Sequence, residues 1–386
     1  MRKQHWFAMT QVSPSPSPRL EFCPAALPGA VYADADWYAR EMASVFAQNW
    51  ICVGRLEDFG GGTMRRMQVG AADVIVCRAV EGAVSAFHNT CRHRGSELCR
   101  EAVEPLGRLI RCPYHAFAYA ADDGRLVATG HAVPTVNFDR AAHGLLAVAS
   151  RVWAGFLFLN TGDATRDLLA DVDLAVLDHW PMDALVTGHL WRTEIACNWK
   201  VFWENYSECL HCPGIHPELC DLVPIYGQGI MAASEAVGWA GEVPSGNLKL
   251  GAKSWTPSGA ACGPVFAGLT EAERAAGYQF VTFWPTAYVV AHVDHVRSVR
   301  IVPLSPTRTA LVVEWYFSPE TLAQPGFDAA EVASFAKIVL RQDGCAAEMN
   351  QRGMLSPAYR GGTLMPEEYE IHRFHQWLLQ EMEVSR

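Results

Sequence analysis

Two short loops each pair a cysteine with a histidine: Cys91-Arg92-His93-Arg94-Gly95 and Cys112-Pro113-Tyr114-His115, with 18 residues between His93 and Cys112. Two thiolates and two imidazoles can bind Zn²⁺ tetrahedrally, or a [2Fe–2S] cluster with both cysteines on one iron and both histidines on the other. Zinc fingers usually group Cys with Cys and His with His. Here each loop supplies one of each, which fits a cluster straddling two loops; a zinc ribbon, or unrelated core cysteines and surface histidines, is the plainer alternative. Cys99, close by, reads as a small core residue rather than a fifth ligand.

The surrounding chain agrees with a β module. From about Ile51 to Asn160 short apolar or alternating runs lie between turn residues, with Asp122-Asp123-Gly124 as a hairpin turn. Before it, Asp36 to Trp50 has helical spacing through Trp37, Glu41, Val45 and Phe46. After a boundary at Thr161-Gly162-Asp163, Trp199 to Cys212 is again helical. Val281–Ala291, Val296–Pro303 and Thr309–Phe317 read as consecutive strands, with a turn at Ser305-Pro306-Thr307-Arg308. Asp328 and Glu331 form a capping box for a helix running to about Arg352 and stopping at Gly353, and Glu367–Glu381 is a second helix. The division expected is 1–50, a tail and helix packing on the C-terminal domain; 51–163, the domain of the two Cys-His loops; and 164–386, the C-terminal domain.

Composition bounds the function. The net charge of −10, from 41 acidic against 31 basic side chains, argues against nucleic acid and is compatible with a cationic small molecule. No run of 18 apolar residues is present, so no membrane span is expected. Twelve cysteines in 386 residues are too sparse for a disulfide scaffold, and no secretory signal is evident after the first basic residues. A reducing, cytoplasmic setting is therefore expected, in which cysteines near histidines suggest metal before disulfide.

Residues 198–217, Asn-Trp-Lys-Val-Phe-Trp-Glu-Asn-Tyr-Ser-Glu-Cys-Leu-His-Cys-Pro-Gly-Ile-His-Pro, carry a second constellation. Glu204, Glu208 and His211 lie at i, i+4 and i+7, on one face if the helix continues. Pro213 and Gly214 are expected to end it, letting His216 swing back towards His211. Two converging histidines would form two corners of a 2-His-1-carboxylate iron site with open positions for O₂. The third ligand must then be a carboxylate from elsewhere, with Asp343, Asp294 and Glu314 as candidates. Gly344 beside Asp343 is costly inside a helix, and close approach to the site would account for it.

Cys91-x-His93 and Cys112-x-x-His115, within Asn89-Thr90-Cys91-Arg92-His93-Arg94-Gly95, match the Rieske motif, and residues 198–217 resemble the mononuclear-iron segment of Rieske oxygenase α subunits. The spacer is slightly long for the family, and Ala116-Phe117 stands where Gly-Trp is usual. Arg341-Gln342-Asp343-Gly344-Cys345 resembles the family's C-terminal helix and implies Asp343 as third ligand to His211 and His216. Asn205 and Glu208 are the implied catalytic residues. Glu208 sits where an acidic residue bridges an iron-site histidine, here His211, to a Rieske histidine, here His115, of a neighbouring subunit, which implies a head-to-tail homotrimer. Cys209 and Cys212 read as structural. The fold implied is α+β: a Rieske β-sandwich followed by a helix-grip domain, an antiparallel sheet around a long C-terminal helix.

The resemblance implies reductive O₂ activation and insertion of oxygen into a C–H bond. No Gly-x-Gly-x-x-Gly follows a strand, so electrons from NAD(P)H must arrive through a separate flavin/iron–sulfur reductase. Glu204-Asn205-Tyr206-x-Glu208-Cys209-x-His211-Cys212, with Trp284-Pro285 through Asp294 into Val302-Pro303-Leu304, is most similar to the glycine betaine, choline, carnitine and proline-betaine branch. That implies a monooxygenase acting on a cationic N-methylated amine, with N-demethylation. Aromatic faces would hold the cation, and Trp203, Tyr206, Trp239, Trp284 and Tyr288 are the candidates. His292-Val293-Asp294-His295 departs from the branch's usual His-Pro-Asp-Tyr. The alternative is an aromatic-ring hydroxylating α subunit, which would share every metal ligand and differ in its pocket.

Overall fold

The computed structural model describes residues 18–165, 174–237 and 247–383, and the chain divides into two compact units. One takes in residues 41–165. The other combines residues 18–40 with the described residues from 174 onward. The boundary anticipated at residue 50 therefore falls at Arg40/Glu41, within the helix Ala35–Ala43. That helix breaks at Ser44 before a short second helix, Val45–Gln48, so the single helix expected over 36–50 is two. At the break, the Met42 carbonyl accepts the Ala71 N–H.

The unit 41–165 is built from three antiparallel sheets. Ile51–Arg55, Phe156–Asn160 and Ala149–Trp153 form one; Phe156–Asn160 is its middle strand and is buried at every residue. Val84–His88, Ala72–Arg78, Thr63–Val69 and Val103–Pro105 form the second. Leu109–Arg111, Phe117–Ala120 and Leu126–Thr129 form the third, and its last two strands turn at Asp122-Asp123-Gly124 with Gly124 at φ +75°. Met64, Ile75, Phe87, Leu98, Ile110, Phe117 and Tyr119 pack into one core that also contains Cys91, Cys99 and Cys112.

The other unit carries a five-stranded antiparallel sheet in the order Val186–Ile195, Arg308–Phe317, Val296–Ser305, Ala287–His292, Tyr278–Phe283. The strand expected over 281–291 is thus a hairpin, interrupted at Trp284-Pro285, where proline cannot donate to the ladder. The 26-residue helix Ala329–Met354 packs on the first strand and on the helix Trp199–Tyr206. Asp328 caps it by accepting the Ala330 N–H, and it runs through Gly353 rather than stopping there. A final helix, Tyr369–Glu383, buries Phe374, Trp377 and Leu378. This is the α+β architecture expected, a sheet gripping a long helix. Among the described residues no helix is long and apolar enough to cross a membrane.

Candidate active site

The two Cys-His loops meet at one end of the cluster unit. Cys91 and Cys112 are each 2% exposed, while His93 and His115 lie nearer the surface with ring centroids 4.8 Å apart. Burial works against charge on both thiols. The backbone N–H groups of Tyr114 and His115 point at the Cys112 sulfur and lower its pKa, and that of His93 points at the Cys91 sulfur. Thiolates held by N–H groups on the inside, with imidazoles outside, are the donor set of a [2Fe–2S] cluster with unlike irons. Tyr119 Oη lies 3.1 Å from Cys91 Sγ and accepts the Arg92 N–H at the same distance. Ala116, in the usual glycine position, adopts φ +58°. A Cβ on Gly130 would lie 2.2 Å from the His115 carbonyl oxygen, so only glycine permits this approach. Cys99 is a core residue, as expected.

In the other unit the helix opened by Asn198 runs only from Trp199 to Tyr206. Glu208 and His211 are therefore not on the helical face that their spacing suggests. Glu208 turns its carboxylate onto the N–H groups of Leu210 and His211, a local bond that competes with helix continuation. Pro213 does not end a helix but lies in the first turn of a new one, Cys212–Ile215. A Cys209–Cys212 disulfide closes this segment around His211, a structural role as expected, although the cysteine count had suggested metal before disulfide. Glu204 faces elsewhere, accepting from Tyr32 Oη at 2.6 Å and His375 Nε2 at 2.8 Å.

His211, His216 and Asp343 converge. His216 Nε2 lies 2.9 Å from Asp343 Oδ1 and 3.2 Å from His211 Nε2, and His211 Nε2 lies 3.4 Å from Asp343 Oδ1. Three donors each about 2.1 Å from one ion and at right angles would stand about 3.0 Å apart, so the triangle fits one face of an octahedral iron site. Each histidine has its other nitrogen engaged: His211 Nδ1 with Glu208 Oε1 at 2.5 Å, and His216 Nδ1 with Gln342 Oε1 at 2.8 Å. Such partners fix the tautomer that presents Nε2 to a metal. Burial opposes charge on His211, but Asp343 and Glu208 outweigh it and push its pKa up to about 9. Burial likewise opposes the Asp343 carboxylate, and the two histidines hold its pKa below the usual range.

The runners-up for third ligand lie apart from this triangle. Asp294 accepts from Ser254 Oγ and the Cys262 N–H, each at 2.6 Å, and lies 2.8 Å from His295 Nδ1. Glu314 accepts from Tyr316 Oη at 3.3 Å. Gly344 contacts Ile195, not the histidines, so proximity to the metal site does not explain it.

Asn205 Nδ2 lies 3.4 Å from His211 Nε2. Tyr206 stacks on Tyr288 at 3.9 Å and meets Phe280 edge-on at 6.1 Å. Phe280 adjoins Trp255, which contacts Tyr278 and Tyr226. Trp203 is wholly buried with its indole N–H donated to the Pro285 carbonyl, and the half-buried Trp284 packs on Phe374 and Trp377 of the final helix. Trp239 lies outside the described residues. Gln342, Tyr119 and Gly130, which contact His216, Cys91 and His115, are neighbours of the ligands that motif spacing does not reveal, and Arg297 lies over the ring of Trp255. Arg297 alone left a signal, a charge inside an apolar strand.

Residues 49–139 match the Rieske [2Fe–2S] domain, and residues 182–384 match the ring hydroxylating alpha subunit (catalytic domain). The chain belongs to this family: it is a Rieske oxygenase α subunit, an oxidoreductase that carries a Rieske cluster and a mononuclear iron and depends on a reductase. It is 30% identical to the glycine betaine monooxygenase oxygenase subunit of Chromohalobacter salexigens, over 91% of this chain and 84% of that protein. It is 27% identical to the carnitine monooxygenase oxygenase subunit of Escherichia coli K12, over 92% and 93% respectively. The quaternary ammonium Rieske monooxygenase CntA, in its apo form, shares the fold with a TM-score of 0.66 at 19% identity, over 93% of this chain and 95% of that one.

Proposed function

We propose that this chain is the terminal oxygenase of a monooxygenase that hydroxylates a C–H bond of a quaternary ammonium substrate, releasing an N-methyl group as formaldehyde. His211, His216 and Asp343 would hold an iron(II) ion, whose chemistry there would be reductive O₂ activation. One O₂, two electrons and two protons give water and an N-hydroxymethyl product, which breaks its C–N bond to leave the demethylated amine and formaldehyde. The observation that carries this reading is the cluster of aromatic rings formed by Tyr288, Tyr206, Phe280 and Trp255, whose Tyr206 follows Asn205, itself 3.4 Å from His211. Ring faces attract a cation that cannot donate hydrogen bonds, each by about 0.5–2 kcal/mol. The names of the betaine and carnitine relatives point the same way.

An aromatic ring would also suit such a group of rings, and is the alternative. The buried charge of Arg297 disfavours an uncharged hydrocarbon there. Pre-reduced enzyme, exposed to O₂ with a panel of N-methylated betaines in a single turnover, is expected to yield formaldehyde and a product lighter by one methylene. Absence of product from every cation, with oxygenation of an aromatic compound instead, would transfer the assignment to ring hydroxylation.

We further infer a homotrimer in which Glu208 joins His211 to His115 of a neighbouring copy. A head-to-tail contact that closes on itself is the natural geometry. The supporting contact is the 2.5 Å approach of Glu208 to His211, on the side of the imidazole away from Asp343. Glu208→Gln is expected to slow inter-metal electron transfer while both metals stay bound. Unchanged transfer and turnover would remove the bridging role.

A further inference from the structure

Arg297 stands on the strand Val296–Ser305 opposite Trp315 and is 4% exposed. Its Nε and Nη1 have no hydrogen-bond partner among the described residues, and it forms no ion pair among them. The guanidinium lies over the Trp255 ring, 5.8 Å from the centroid. The indole Nε1 of Trp255 also lacks a partner, as does Nδ1 of His292, whose ring is 5.5 Å from that of Trp255. Three polar side chains with unmet hydrogen-bonding capacity therefore meet at one place among buried aromatic rings. Arg297 is also within electrostatic reach of Tyr288, Tyr206 and Asp343.

A buried guanidinium retains its charge and is strongly disfavoured unless paired. No hydrogen bond joins Asp343 to Arg297 Nε or Nη1, and Oδ1 of that carboxylate is directed to His216 and His211. The planar fork of N–H donors matches a carboxylate. We propose that Arg297, with the Trp255 indole N–H beside it, binds a carboxylate of the substrate, so that the site selects carboxylate-bearing quaternary ammonium zwitterions over amino alcohols and uncharged rings. The proposal rests on the quaternary-ammonium reading above and narrows it. Arg297 is a specificity-determining residue: it meets the substrate's anionic end and leaves the ammonium to the faces of Tyr206 and its neighbours. A cation without a carboxylate meets only repulsion from it.

Equilibrium binding to the anaerobic, iron-loaded enzyme tests this with four probes, read by tryptophan fluorescence and calorimetry. Glycine betaine and γ-butyrobetaine carry both charges, choline only the cation, and 3,3-dimethylbutyrate only the carboxylate on a betaine-shaped frame. Wild type is expected to bind a betaine at least about 30-fold more tightly than choline. Arg297→Gln should weaken betaine and dimethylbutyrate binding by about 100-fold and leave choline unchanged or tighter. Arg297→Lys, which keeps the charge in case the glutamine variant fails to fold, should restore part of the betaine preference. Equal binding of choline and betaine by wild type, no binding of either betaine, or a betaine-to-choline ratio that survives in the variants would overturn the carboxylate role. Choline binding as tight as betaine would still leave the quaternary-ammonium reading standing. Dimethylbutyrate binding as tight as betaine and dependent on Arg297 would remove the ammonium reading while keeping the carboxylate clamp.

Discussion

Removing one hydroxyl from the cluster domain should change how readily it accepts an electron. The Arg92 N–H donates to Tyr119 Oη, which leaves the phenol proton free to point at Cys91 Sγ, 3.1 Å away. A hydrogen bond to a charged group contributes about 1.5–3 kcal/mol. It is present in both oxidation states, so only its strengthening on reduction matters. One added electron spread over the cluster and its sulfurs makes that roughly 1 kcal/mol. At 59 mV per 1.36 kcal/mol for one electron, Tyr119→Phe should lower the reduction potential by about 40 mV. Phenylalanine keeps the ring that fills this fully buried position, so the core should not collapse. The orphaned Arg92 N–H should cost about 1 kcal/mol of stability. Potentiometric titration followed by electron paramagnetic resonance reads the shift, with iron and sulfide assays confirming a full cluster. A full cluster with a potential within about 10 mV of wild type, or above it, would falsify the hydrogen-bond argument.

Other perturbations follow from the same geometry. Ala116→Gly should raise stability by about 0.4–1 kcal/mol in chemical unfolding, because φ +58° disfavours a Cβ. Gly130→Ala should drive a methyl into the His115 carbonyl and deplete cluster iron and sulfide. Asp343→Ala should remove the mononuclear iron while the cluster irons remain, read by metal analysis against the visible spectrum. In protein stripped of the mononuclear iron, His211 has a pKa raised from 6.5 to about 9. Its contribution is then fully present below about pH 6.5 and is lost as pH rises through about 9, by up to roughly 3 kcal/mol. Iron replaces that proton, so loaded protein should lack the alkaline decline when denaturation midpoints are compared across this range.

Much of the site was legible because its chemistry is local in sequence. Cys91-x-His93 and Cys112-x-x-His115 each occupy one loop, and His211 and His216 are five residues apart, so spacing alone brings them near one another. Asp343 needed the resemblance, since the one local feature that set it apart from a solvated helix aspartate, the neighbouring Gly344, faces Ile195 and not the metal site. The helix over 199–212 was overread because apolar periodicity persists past Ser207, while the Glu208 carboxylate binds backbone N–H groups there and lets the chain turn. The candidate tryptophans divided for a similar reason. Trp203 and Trp284 look like cage residues by type, but their partners, Pro285, Phe374 and Trp377, are set by tertiary packing. Trp255 and Arg297 come together only through the fold, 42 positions apart, so no motif joins them.

Gln342 and Asp343 are consecutive residues of one helix, yet they meet opposite nitrogens of the same imidazole, His216 Nδ1 and Nε2. The helix thus works as a caliper whose two jaws cannot be adjusted separately. Its 26 residues span about 39 Å, and nine positions on from Gln342 the side chain of Gln351 is tied to the Asn198 N–H and the Tyr32 carbonyl. A change at that far anchor would twist both jaws together. Metal affinity and the angle of the imidazole should therefore respond to substitutions two turns and more away.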